Sequence, residues 1–194
     1  MRKILVGTLG LGLLLSHNHV TYADSEASTA TPVPDQEHVI FSRAPVQQTR
    51  WAVKPTIRVC VSSGVTRTRV EKAMKFWQDL GYEFDGLLIV DINSRPCHSD
   101  LMYFGEIVIT LPDQTFNMSH ALGTTRVWFD TETNEITKAN IQIMTQWTDS
   151  ERILEHELGH ALGWLDVNQT GHIMNHNWSL GGLNTTGVEY NREP

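Results

Sequence analysis

His156 and His160 stand four positions apart in the run HELGHALGWLDVNQTGHIM. On a helix both imidazoles leave the same face one turn apart and can close on a single ion. Glu157 lies beside the first of them, its carboxylate placed to take a proton from water and pass it to a leaving amine, the general-base task of a His-Glu-x-x-His segment. A straight helix would carry a ligand six residues beyond His160 about 9 Å further along the axis, out of the ion's reach. Gly163 interrupts that course, because glycine accepts the left-handed conformation that ends helices, and Asp166 can then swing back as a third ligand. His172 also follows the turn and is the competing third ligand. Met174, in a Gly-His-Ile-Met-Asn setting, is expected to form a tight apolar turn beneath the ion.

This stretch resembles the metzincin metalloproteases, whose pattern is His-Glu-x-x-His-x-x-Gly-x-x-His followed by a methionine turn. The match covers His156, Glu157, His160, Gly163 and Met174. Asp166 departs from the common third histidine, and there the chain is similar to the snapalysin-like branch, which carries Asp. The resemblance implies one catalytic Zn2+ on His156, His160 and Asp166, with peptide bonds hydrolysed by a metal-activated water and Glu157 as catalytic base. The family spacing ranks Asp166 above His172. It also implies an α+β, zincin-like metzincin fold: a twisted mixed β-sheet with an antiparallel edge strand over the active-site helix, followed by an abbreviated C-terminal subdomain. A protein or peptide substrate would lie along that edge by strand addition. Compared with matrixins, Ser119-His120-Ala121 and His98-Ser99-Asp100 resemble parts of a structural zinc site. Trp128 stands where a further histidine would be needed, so that set is incomplete. His176 occupies a place where some metzincins have an oxyanion-stabilising tyrosine; a surface histidine is the plainer reading. Asp130, Glu132, Asn134 and Glu135 have oxygen donors for calcium, and a solvated hairpin turn accounts for them at least as well.

The elements that must position this stretch follow from periodicity. Ile57 to Val61 alternates and is β-branched, a strand; Val65 to Leu80 has Val70, Met74, Trp77 and Leu80 at helical spacing and stops at Gly81. Leu87 to Ile92 is an apolar run of the length of a buried strand, so strand, helix and parallel strand open a twisted sheet. Glu106 to Leu111 is a further strand. Thr124 to Asp130 and Ile136 to Met144 read as a hairpin, the first being the expected edge above the metal. Thr148 and Glu151 suggest a capping box opening the active-site helix, whose apolar face would include Ile153, Leu154, Leu158, Ala161 and Leu162. Trp164, between Gly163 and Asp166, is a candidate for the cleft wall.

Length and charge bound the rest. The 194 residues suit one catalytic domain, taken as 51–194. Residues 1–23 have Arg2 and Lys3, an apolar run from Ile4 to Leu15 and a small-residue exit at Ala23, the form of a secretory signal, and the run is too short to span a membrane. Residues 24–50 are rich in Ser, Thr, Pro and Gln, the composition of a flexible leader, linker or short propeptide. Losing Arg2 and Lys3 takes the formal net charge from −7 to −9, which argues against nucleic acid as a partner. The expected location is secreted or periplasmic, with no integral membrane segment after signal removal. Cys60 and Cys97 are the only cysteines and most simply form one disulfide in an exported protein; two buried thiols, or a thiolate on the zinc, are the alternatives. The competing reading from another class is a zinc-containing binding or inhibitory module with a vestigial protease site. Glu157 speaks against it, since a structural metal needs no proton shuttle.

Overall fold

The computed structural model describes residues 19–23, 42–91, 97, 102–112 and 121–190. His98, Ser99, Asp100, Ser119 and His120 of the incomplete structural-zinc set lie outside those residues. Among the described residues seven strands form one sheet: β1 (His19–Ala23), β2 (Arg50–Trp51), β3 (Thr56–Cys60), β4 (Gly86–Val90), β5 (Glu106–Thr110), β6 (Gly123–Phe129) and β7 (Glu135–Ile143). The order across it is β1-β6-β7-β5-β3-β4, with the short β2 beside the start of β7. Strands β4, β3, β5 and β7 run parallel, β6 runs antiparallel to β7, and β1 runs antiparallel to β6. The expected edge strand, β6, is therefore flanked by a further strand, with Ala23 opposite Thr124 and His19 opposite Trp128.

Helix α1 (Arg67–Asp79) begins where the Thr66 side chain accepts from the Arg69 N–H at 3.2 Å and ends before Gly81, whose φ of 96° reverses the chain. It connects β3 to its parallel neighbour β4, as the periodicity predicts. β4 differs from the expected buried strand: Leu88 is 51 % and Ile89 39 % exposed. An apolar run of this length reads the same at a sheet's centre and its edge, and β4 is the outermost strand on that side.

Helix α2 (Ile153–Ala161) packs on β6, β7 and α1. The expected capping box does not open it. Thr148 donates back to the Thr145 carbonyl at 3.1 Å, closing a turn after the 3-10 segment Thr145–Trp147. The residue preceding the helix is Arg152 at φ 74°, its guanidinium stacked 4.0 Å over Trp178. Two indoles fasten the helix from other elements: Trp77 Nε1 donates to the Glu155 carbonyl and Trp51 Nε1 to the Ala161 carbonyl, each at 2.8 Å. Ile153, Leu154, Leu158, Ala161 and Leu162 are buried among Ile57, Ile107, Ile141, Ile143 and Trp77, as their spacing predicts.

The other face of the sheet is smaller and partly polar. Cys60 and Cys97 form a disulfide, with Cα atoms 5.5 Å apart, in a cluster with Met102, Val108 and Trp128. The bond excludes both thiol alternatives. Arg58 pairs with Glu106 at 2.7 Å beneath it. Residues 42–50, assigned by composition to the leader, are tied to the domain: Ser42 bridges Val167, Gln47 bridges Trp164, and the Gln48 N–H donates to the Gly163 carbonyl at 2.8 Å. These are backbone contacts, which composition does not encode.

Candidate metal centre

α2 ends in a left-handed turn whose hydrogen bonds satisfy its last carbonyls. Gly163, at φ 95°, donates to the His160 carbonyl at 2.8 Å, and the Trp164 N–H reaches the Gly159 carbonyl at 3.1 Å. The chain then doubles back, and Val167 bonds the Met174 carbonyl at 2.8 Å. A Cβ at Gly163 would overlap the Thr49 carbonyl and lie 2.9 Å from the Thr49 hydroxyl. Gly163→Ala is accordingly expected to lose about 2–4 kcal/mol from left-handed strain plus a clash with backbone that cannot yield. Gly171 is the control, since it shares a positive φ of 81° but a Cβ there meets nothing within 4 Å. Urea unfolding should show Gly171→Ala losing only the conformational part; equal losses in the two variants would mean the contact with Thr49 is unimportant.

The turn brings His156, His160 and Asp166 together, with one ligand atom from each lying within 4.8 Å of the others. Asp166 Oδ1 is 3.4 Å from Nε2 of both histidines. Each imidazole is oriented from behind: His156 Nδ1 lies 2.7 Å from the Ile173 carbonyl, and His160 Nδ1 2.8 Å from the Trp164 carbonyl. A carbonyl only accepts, so both Nδ1 atoms carry the proton and both Nε2 lone pairs face the carboxylate. Asp166 Oδ1 is buried and makes no hydrogen bond. Three electron-rich atoms converging in a buried space call for a cation. A tetrahedral zinc with bonds of about 2.0–2.1 Å spaces its ligand atoms about 3.3–3.4 Å apart. Both separations from Asp166 match that spacing, and in this respect the residues fit the ion.

Beneath the cluster Met174 is fully buried, and its side chain packs against Gly159; a Cβ at Gly159 would overlap its sulfur and lie 2.7 Å from Trp77 Cζ2. His172, the competing ligand, is committed elsewhere. Its Nδ1 accepts from the Met174 N–H at 3.0 Å and its Nε2 donates to the Thr186 carbonyl at 3.2 Å. It is a neutral strut of the methionine turn. Burial, the largest influence, pushes its pKa below 6.5. The stability it contributes is thus complete above the unfolded value of about 6.5 and is lost as pH falls through the lower folded value. His172→Asn keeps an acceptor for Met174 without titrating. Urea midpoints should show wild type losing its advantage over this variant between pH 7.5 and pH 5, and a constant difference would remove the assignment. His156, His160 and Asp166 are common to both proteins, so their contribution cancels.

Trp164 does not line a cleft: it is buried, with Nε1 donating to the Tyr82 hydroxyl at 2.7 Å. His176 is half-buried, its Nδ1 3.3 Å from the Val167 carbonyl. At the hairpin between β6 and β7, Asp130 Oδ1 accepts from the Glu132 and Thr133 N–H groups at 2.8 and 3.1 Å, and Asn134 donates to the Gln48 carbonyl. The turn thus uses these side chains itself. Glu157 is fully buried, and Thr125 on β6 touches its carboxylate. Thr125 and the two orienting carbonyls escaped sequence reasoning, because nothing local marks one threonine or one peptide oxygen above another.

The fold and site define an α+β chain with a candidate metal centre built on a His-Glu-x-x-His helix and a returning aspartate. No family model matches the sequence, and no curated protein matches it. Among solved structures, metalloproteinase-II from Bacteroides fragilis is similar at a TM-score of 0.43 and 12% identity, over 76% of this chain and 54% of that one. The chain thus spans about half of that protein's length, a likeness too partial to carry fold or activity across.

Proposed function

We propose that the chain is an exported zinc-dependent endopeptidase of the metzincin type, with His156, His160 and Asp166 as metal ligands and Glu157 as general base. The observation that carries this reading is the convergence of two imidazole lone pairs, each 3.4 Å from one carboxylate oxygen, next to a buried carboxylate on the same helix. When bound, zinc supplies Lewis acidity, making water acidic enough to attack near neutral pH and polarising the scissile carbonyl. Ile173 and Trp164 orient the two imidazoles through their carbonyls, and Met174 packs the floor. Glu157 takes the proton of the attacking water and hands it to the leaving amine.

The substrate would lie along β6. Support comes from its outer side, which pairs in register with the extended segment His19–Ala23. That segment ends at the proposed signal cleavage point, so processing there leaves the β6 edge unpaired for an extended peptide. The Cys60–Cys97 disulfide agrees with export, and no helix of the described residues is long and apolar enough to cross a membrane.

The test is zinc stoichiometry and cleavage of an unstructured protein such as casein, measured on protein purified after export. One zinc per chain with cleavage abolished by chelation and restored by zinc is the expected result. Zinc without cleavage of any unstructured protein would favour a binding module, and no zinc would sink the site.

A further inference from the structure

Thr125 lies in the middle of β6 and is wholly buried. Its hydroxyl is 2.6 Å from Glu157 Oε2 and 3.0 Å from the Glu157 main-chain oxygen. A hydroxyl has one proton to donate, and the nearer acceptor, Oε2, takes it. Two residues earlier, on the same face of the strand, stands Gly123. A Cβ there would lie 2.7 Å from Glu157 Oε1, 2.9 Å from Cγ and 3.0 Å from Cδ. Gly123 has no positive φ that would require glycine, so what it provides at this point is space. That space is filled by the Glu157 carboxylate.

We propose that β6 carries a cradle for the catalytic carboxylate: Thr125 is a positioning residue that fixes the rotation of the Glu157 side chain by donating to Oε2, and Gly123 leaves the room that the carboxylate occupies. The cradle's use in catalysis rests on the peptidase reading above; its geometry does not. The same strand would then hold substrate by its outer edge and the proton carrier by its inner face. A shift of β6 would move both together, keeping the base aligned with the peptide it serves.

The test compares Thr125→Val, which is isosteric and lacks the hydroxyl, with Thr125→Ser, which keeps it. Thr125→Val should retain zinc while kcat on casein-derived peptides falls about 10–100-fold, the range seen when a partner of a catalytic or ligating group is removed. KM should stay within about threefold, because the lost interaction serves the transition state. Thr125→Ser should return kcat to within about threefold of wild type. A mere tether between strand and helix would instead lower stability and leave kcat alone. Crystals of the zinc-free variants give a readout independent of activity: the Glu157 carboxylate should stay on residue 125 in Thr125→Ser and swing away in Thr125→Val. Should Thr125→Val not fold, Gly123→Ala displaces the carboxylate with Thr125 intact and carries the same expectation. Wild-type kcat in Thr125→Val, or an unmoved carboxylate in its crystals, overturns the proposal. A wild type that cleaves nothing defeats the peptidase reading alone, and the crystals then decide the cradle.

Discussion

Glu157→Ala is expected to lower peptide cleavage by about 10²–10⁴-fold while zinc content and melting temperature stay at wild-type values. The rate loss follows from removing the only proposed proton carrier on the helix that holds both histidines. The stability expectation is specific to this packing. Truncation removes a buried polar group, and the Thr125 hydroxyl still has the Glu157 main-chain oxygen 3.0 Å away as an acceptor. Thr125 is thus not orphaned, and an orphaned buried donor is the usual source of a large penalty when a hydrogen-bonded partner is deleted. Zinc content by mass spectrometry, thermal melts and casein assays on the two proteins make the measurement. Undiminished cleavage by Glu157→Ala would remove the general base from the mechanism. Loss of zinc together with activity would instead make Glu157 part of the metal's support.

The second large effect is on the fold. Glu155 immediately precedes His156, is 4 % exposed, and forms a two-pronged pair with Arg69 of α1. Arg69 Nη1 lies 2.7 Å from Glu155 Oε1, and Nη2 bonds Oε2 while also reaching the Ser150 carbonyl at 3.1 Å. The pair joins the two helices next to His156. Glu155→Ala strands the Arg69 guanidinium in the core and should cost about 3–5 kcal/mol. The double variant Arg69→Met, Glu155→Leu should recover most of that loss, because a buried pair gains little over apolar side chains of like size. Urea unfolding of the single and double variants measures both. A Glu155→Ala loss below about 1 kcal/mol would mean that the arginine finds water or another acceptor, and the pair would not be what sets the helix.

The cluster of His156, His160 and Asp166 was legible in the sequence because its relations are local. Four-residue spacing places His156 and His160 on one face whatever surrounds the helix, and Gly163 marks the reversal because φ of 95° is open to glycine and costly to other residues. The parallel strand-helix-strand unit, the β6–β7 hairpin and the apolar set of α2 follow from the same short-range periodicities. Cysteine count and the form of the N-terminus pointed to the disulfide between Cys60 and Cys97.

What failed or was silent involves partners far apart in the chain. Thr148 and Glu151 have the spacing of a cap, yet the Thr145 carbonyl claims the Thr148 hydroxyl and α2 starts one residue past Arg152. Leu88 and Ile89 look like core residues and are exposed, because only the strand order makes β4 an edge. Periodicity gave α2 one apolar face, whereas Glu155, His156, Glu157 and His160 are buried as well, enclosed by β6, α1 and the methionine turn. Arg69 meets Glu155 across 86 residues, Thr125 meets Glu157 across 32, and Ile173 orients His156 through a peptide oxygen that every residue possesses. Residue type and spacing therefore determined which side chains offer their donor atoms on one face of α2 and in the turn after it. Sheet register and the return of the chain decided how they are held, since hydrogen bonds between distant segments depend on where the backbone goes, a property no short window of sequence contains.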